Sequence, residues 1–122
     1  MANEIQASAS LSVTKNGATF AARASLSLTQ SGSYAVNQVQ LIGTSTEAID
    51  LGDITGRPVY LFVQNLEAEG GNSIYIQTGG TGTIIGTLAP GQFALYPVTG
   101  GGVPYAQGFG GSAKLLVLAI EA

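Results

Sequence analysis

The sequence predicts an all-β fold, a β-sandwich with jelly-roll-like strand order. Short apolar segments recur at intervals of about 8–12 residues with glycine-rich turns between them, as in sandwiches and barrels. No long window places apolar side chains at the three-and-four spacing of a helix. The absence of a clean internal repeat argues against a propeller or a solenoid. With 122 residues, the chain is near the commonest size of one domain, so we expect a single domain.

The N-terminal segment, residues 1–30, predicts a β-hairpin arm that is part of the sandwich or appended to it, with the sandwich core in residues 31–122. Two runs of alternating apolar and polar residues flank Asn16-Gly17, and Asn-Gly in that context is the strongest short hairpin signal. Many of the apolar side chains are alanine, which allows another surface to approach closely but contributes little burial energy. The candidate interface residues on this arm are Ala7, Ala9, Ala22 and Ala24.

Further strands are predicted at about 35–43, 45–51, 59–63, 73–78, 83–88, 92–97 and 113–120, with a short extended piece near 104–106. The continuous apolar run at 59–63 predicts a central strand that is buried on both faces. Pro90-Gly91 predicts a tight turn that closes a hairpin, with positive φ at the glycine.

The glycine-rich segment at 99–112 has two interpretations. It is either a flexible loop or a contact loop in which two aromatic residues anchor a neighbouring molecule. The candidate anchors are Tyr105 and Phe109.

Residues suited to catalysis are scarce. The chain lacks histidine, cysteine and tryptophan, which removes the Ser-His-Asp and Cys-His systems and the usual zinc sites. A glycosidase acid pair is disfavoured because none of the seven acidic residues lies in an apolar run, and Glu67 and Glu69 fall in a predicted loop. Asp50 and Asp53 are better explained by turn capping than by calcium binding. We therefore expect neither an enzyme nor a bound cofactor or metal.

Other ligand classes are disfavoured by motif and by charge. Residues 79–83 resemble a phosphate loop, but the lysine of that motif is missing, so a β-turn is the better interpretation. Four basic residues in the whole chain are too few to neutralise a run of phosphates, which argues against nucleic acid.

No segment approaches the ~18 apolar residues of a membrane span. The N-terminus lacks the pattern of a signal peptide.

Charged residues make up only 9% of the chain, against roughly 25% in a typical soluble domain. A surface with so few charges favours a protein that functions in contact with neighbouring subunits over a freely soluble β-domain.

The order of several motifs carries a family resemblance. Leu51-Gly52 and a short turn precede an aromatic strand that ends in Asn65-Leu66, and an isoleucine strand follows. Leu88, Pro90-Gly91-Gln92, Ala94 and Pro97 come next, and then Tyr105-Ala106 and a terminal strand ending in Glu121. In this order, and with the opening Ala2-Asn3-Glu4-Ile5, the chain resembles small structural proteins of tailed-phage virions, among them the head decoration (cement) proteins.

The resemblance implies a jelly-roll-like decoration protein, a homotrimer on the outer surface of the bacteriophage capsid. Its partner would be the major capsid protein, and it would stabilise the head by bridging neighbouring capsid subunits. One alternative is a fibre, knob or adhesion module that binds host-surface carbohydrate through Tyr75, Tyr105 and Phe109. Another is a capsid shell subunit, for which the chain is short.

Overall fold

The computed structural model describes residues 5–30, 35–51, 54, 59–77, 83–98 and 104–121. These residues contain strands and no helix, so the predicted all-β class is confirmed. The strands are β1 (Ile5–Lys15), β2 (Ala18–Leu28), β3 (Ala35–Ile42), β4 (Glu47–Ala48), β5 (Val59–Asn65), β6 (Ser73–Gln77), β7 (Ile84–Leu88), β8 (Phe93–Val98), β9 (Tyr105–Phe109) and β10 (Ala113–Glu121).

The strands form one two-stranded sheet and two four-stranded sheets, all antiparallel. Strands β1 and β2 pair with each other, and we call this hairpin the arm. Sheet 1 has the order β3-β10-β5-β8, and sheet 2 has the order β4-β9-β6-β7. The eight strands after the arm pair in a nested way: β3 with β10, β4 with β9, β5 with β8, and β6 with β7.

A hydrophobic core lies between the inner faces of the two four-stranded sheets, so the predicted sandwich arrangement is present. Alternate residues of β10, from Ala113 to Ala119, are fully buried, while Leu116 and Leu118 point outward and are half-buried. The largest fully buried apolar side chains are Ile42, Ile49, Leu61, Ile74, Leu115, Val63 and Val117. Burial of each such side chain stabilises the fold by about 1.5–3 kcal/mol.

Strand β5 is central in sheet 1, as the sequence predicts, but its burial is one-sided. Leu61 and Val63 are buried in the core, whereas Tyr60 and Phe62 on the other face are only half-buried. The prediction of burial on both faces was therefore wrong. A continuous apolar run does not distinguish a strand between two layers from one whose outer face lies at the surface.

The turn at Pro90-Gly91 has the predicted backbone but a different role. Gly91 has φ of 85° and the amide of Gln92 donates to the carbonyl of Ala89 at 2.9 Å, which closes the turn. The flanking strands β7 and β8 belong to different sheets, so the turn does not close a hairpin. It carries the chain across the edge of the sandwich.

Buried Asn65 holds this crossing in place. Its side-chain amide donates to the carbonyls of Asn72 and Leu88, both at 2.9 Å, and its side-chain oxygen accepts from the amide of Glu67. Its backbone carbonyl accepts from the amide of Gly91, and its backbone amide donates to the carbonyl of Gln92. One side chain thus joins the end of β5, the following loop and the end of β7.

Two further expectations need correction. The strand predicted at 45–51 is reduced to the two-residue β4, because the chain crosses there from sheet 1 to sheet 2. The segment predicted as a flexible loop or a contact loop is in part a strand, because the extended piece predicted near 104–106 belongs to β9, residues 105–109, in the interior of sheet 2. Residues 79–82, residues 99–103 and Asp53 lie outside the described residues.

The arm is the hairpin that the sequence predicts. Asn16 and Gly17 have φ of 54° and 80°, the two positive values that a type I′ turn requires. At the other end, Ile5 is buried, and the side-chain amide of Gln30 donates to the carbonyl of Glu121 at 3.0 Å. The arm is therefore fixed to the body at its base and closed by a tight turn at its tip.

Candidate interaction surface

The register of the arm brings the apolar side chains of both strands to one face. Val13 lies opposite Phe20, and Leu11 lies opposite Ala22. Closer to the base, the pairs on the same face are Ala9 with Ala24, Ala7 with Leu26 and Ile5 with Leu28. The larger distal side chains are poorly covered: Leu11 is 79% exposed and Phe20 is 70% exposed. We call this surface the arm face.

The arm is unusual because its two strands pair only with each other in the described part of the chain. Eleven residues at about 3.4 Å each make a strand of roughly 37 Å. Residues 8–27 are exposed on both faces of the hairpin. An isolated two-stranded hairpin is marginally stable in water, so the exposed length of the arm contributes little stability of its own.

The outer face of sheet 1 is also apolar, and its β5–β8 half faces the base of the arm. Ile5 and Ala7 line a cavity of about 230 Å³ together with Tyr60, Phe62 and other side chains of sheet 1. Closer to the tip of the arm, an open cleft of about 610 Å³ lies between the arm and this half of the sheet. Within the cleft, Phe93 stacks on Phe62 with ring centroids 5.8 Å apart.

The other half of that outer face, formed by β3 and the first part of β10, lies on the far side of sheet 1 from β8. Val39 lies opposite Leu116, and Leu41 lies opposite Lys114. Val39 is 55% exposed and Leu41 is 63% exposed. We call this surface the β3–β10 patch.

The inner face of β3 carries Val36 and Ile42, which pack in the core, and two glutamines, so Val39 and Leu41 face outward. Gln40 points to the end of β4 and the residues after it: its amide donates to the carbonyl of Ala48, and its oxygen accepts from the amide of Asp50. Gln38 donates to the carbonyl of Asp50 in the same way. These bonds fix the strand with the glutamines toward the crossing chain, so Val39 and Leu41 face away from it.

A third surface, the outer face of sheet 2, carries an aromatic pair. The rings of Tyr75 and Phe109 are 5.2 Å apart and inclined at 44°. Beside them, Gln107 accepts from the side-chain amide of Gln77 at 3.0 Å and donates to the carbonyl of Thr44 at 2.8 Å. The side-chain oxygen of Gln77 is buried and makes no hydrogen bond. The two aromatic rings and the two glutamines beside them carry no charge.

The structure places the predicted interface residues on two separate surfaces. The four alanines are on the arm face, whereas Tyr105 and Phe109 project from the outer face of sheet 2. Tyr105 is half-buried, and Phe109 is exposed beside Tyr75. The prediction did not include the β3–β10 patch. The alternation of β3 was visible in the sequence, but nothing in it indicated which side faced the core.

Sites for other ligands are sparse in the described part of the chain. No group of three or more histidine, cysteine, aspartate or glutamate residues there is suited to holding a metal ion. The carboxylate of Glu67 accepts a hydrogen bond from the amide of Lys114 at 3.1 Å, so it has a structural role. No helix long and apolar enough to cross a membrane occurs among these residues.

Comparison with known proteins found no match to a family model, to a curated protein or to a solved structure.

Proposed function

We propose that this chain is a virion structural protein, a decoration (cement) protein that binds the assembled head of a tailed phage and bridges neighbouring capsid subunits. The observation that supports this most directly is the arm, a hairpin of two 11-residue strands with an exposed apolar face. A monomer that functioned alone would gain nothing from this exposed apolar surface, whereas a subunit of a lattice would bury it. The motif order described above supports the phage assignment.

Jelly-roll topology is part of the proposal. Nested antiparallel pairing of eight strands, with the first beside the last and the two central strands beside each other, is what a jelly roll requires. Jelly rolls are common in viral capsid proteins and in lectins, so the topology supports a virion role without excluding carbohydrate binding.

The proposed role requires many weak contacts rather than one strong site. A shell under pressure from packaged genome is stabilised when every bound copy adds a weak contact, because these contacts sum over the particle. A homotrimer suits this task, because closed symmetry lets one patch on each copy be used three times. It also matches the local threefold positions of an icosahedral lattice.

The test is to locate the protein in purified particles of the phage that encodes it. We expect antibody against the chain to detect it in density-banded particles, and cryo-electron microscopy to show copies on the outside of the head. Particles stripped of the protein should release their genome at a lower temperature, and the purified protein should restore resistance. Finding the chain only in the soluble fraction of infected cells would overturn the proposal.

A second candidate function, adhesion to host carbohydrate, is favoured by one observation. The exposed ring of Phe109 beside Tyr75 and Gln107 provides the aromatic surface and amide groups that sugar rings bind. A glycan array that gives specific hits, lost in Phe109→Ala and kept in Phe93→Ala, would favour this function if the protein is also absent from the head. Phe93 is the matched control because it is an exposed phenylalanine on the opposite sheet.

A further inference from the structure

We propose that the arm face of one copy packs on the β3–β10 patch of a second copy of this chain. The proposal rests on the assembly role given above and names the two surfaces that meet. It makes the contact heterologous, since the donor surface and the acceptor surface are different parts of the molecule.

The contact chemistry is already present within one copy. At the base of the arm, Ile5 is 2% exposed and shares a cavity with Tyr60 and Leu118 on the outer face of sheet 1. The arm face continues beyond this contact to Leu11 and Phe20, which remain exposed. The outer face of sheet 1 likewise continues past β10 to β3. The arm face and the outer face of sheet 1 therefore both extend beyond the apolar contact that they make within one copy. In the proposed assembly, the arm face of one copy covers the β3–β10 patch of the next.

The dimensions of the two surfaces agree. The arm is two strands wide, and so is the patch formed by β3 and β10, which gives each a width of about 10 Å. The seven distal pairs of the arm, from Ala9–Ala24 to Lys15–Ala18, extend about 24 Å, close to the roughly 27 Å of the eight residues of β3. One such contact is small beside the ~1,000 Å² expected of a specific interface. In a closed ring, however, each copy both donates an arm and accepts one.

Net charge favours arm-to-body contact over arm-to-arm contact. Residues 5–30 contain Lys15 and Arg23 and no acidic residue, a net charge of +2. Residues 31–122 contain six acidic and two basic residues, a net charge of −4. By net charge, two arms would repel each other and an arm and a body would attract, although the patch itself carries one positive side chain, Lys114. Such complementarity directs the choice of partner more than it adds affinity.

Chemical crosslinking tests the contact, because the chain has no cysteine of its own. Phe20→Cys on the arm face is mixed with a size-tagged copy that carries Val39→Cys on the patch, and a short bismaleimide is added. We expect a crosslinked heterodimer as the main product. The matched control is Ala21→Cys, since Ala21 is the next residue on β2 and points to the opposite face of the arm. It should give a several-fold lower yield.

Three results would overturn the proposal. The first is an equal yield of crosslinked heterodimer from Phe20→Cys and Ala21→Cys. The second is a main product that is the Phe20→Cys homodimer. The third is the absence of any crosslinked product together with a monomer in sedimentation. If Phe20→Cys disturbs the arm, Leu11→Cys probes the same face from β1.

The result is separable from the proposed virion role. Crosslinked copies that do not occur on phage heads would retain the arm contact and overturn the decoration function. Copies found on phage heads that give no arm-to-patch crosslink would support the decoration function and overturn the arm contact.

Discussion

Val13 of β1 lies directly opposite Phe20 of β2 near the tip of the arm, and both side chains are more than half exposed. Two large apolar residues at the free end of a two-stranded hairpin are the observation behind the proposed contact between copies.

Replacing Ala22 with Glu should weaken self-association at least about tenfold, since 1.4 kcal/mol corresponds to tenfold and burying an unpaired charge costs more. Ala22 is on the arm face opposite Leu11. Ala9→Glu should act in the same way, because Ala9 lies on the same face. Sedimentation velocity over a concentration series measures the effect, and the body should keep its β-rich circular dichroism spectrum.

The control for this change is Ala21→Glu. Ala21 adjoins Ala22 and pairs with Ser12 on the opposite face, so the same charge is added without entering the proposed contact. Equal weakening by both substitutions would show that added charge, and not the arm face, governs association.

Trypsin should cut the arm of the free protein at Lys15 and Arg23, and cleavage should slow as protein concentration rises. Both residues are exposed in the single copy, and assembly would cover the arm. Peptide mass spectrometry over a dilution series measures the rates. Lys114 is the internal control because its strand, β10, lies between two others in sheet 1 and should resist at all concentrations. Arm cleavage at a rate independent of concentration would argue against a covered arm.

Asn65→Ala should lower the free energy of unfolding by about 2–4 kcal/mol, because it leaves the carbonyls of Asn72 and Leu88 without their donor. Urea denaturation measures the change. Asn37→Ala is the control, since Asn37 is exposed on β3 and should change stability by less than about 0.5 kcal/mol. A similar loss from both would show that the buried hydrogen bonds of Asn65 are not what stabilises the crossing.

Gly108→Ala should be strongly destabilising, by about 2 kcal/mol or more, because overpacking against backbone forces it to move. A Cβ at Gly108 would clash with the carbonyl oxygen of Gly111 and would lie 3.1 Å from that of Gly43. Gly86→Ala is the matched control within the same sheet, because a Cβ there meets nothing within 4 Å. Thermal unfolding of the two variants compares them, and an unchanged midpoint for Gly108→Ala would contradict the close packing.

The sequence by itself determined the strand content, the arm and two turns. Asn16-Gly17 between alternating runs specifies a type I′ hairpin through local backbone preference, and Pro90-Gly91 specifies its turn in the same way. These features depend on neighbours in the chain, so they can be read from the order of residues. The candidate alanines follow from the same alternation, because the register of a hairpin is fixed by its turn.

Only the tertiary structure decided which strands meet and which faces stay open. The turn at Pro90-Gly91 joins different sheets because β7 pairs with β6 and β8 pairs with β5, which are long-range choices. Val39 and Leu41 face outward because Val36 and Ile42 on the other face of β3 pack in the core and Gln38 and Gln40 bond to a segment about ten residues away. An alternating pattern gives two faces but not their direction, since that is set by whatever packs against the strand. The β3–β10 patch, which we propose as the acceptor for the arm, could therefore be found only in the folded chain.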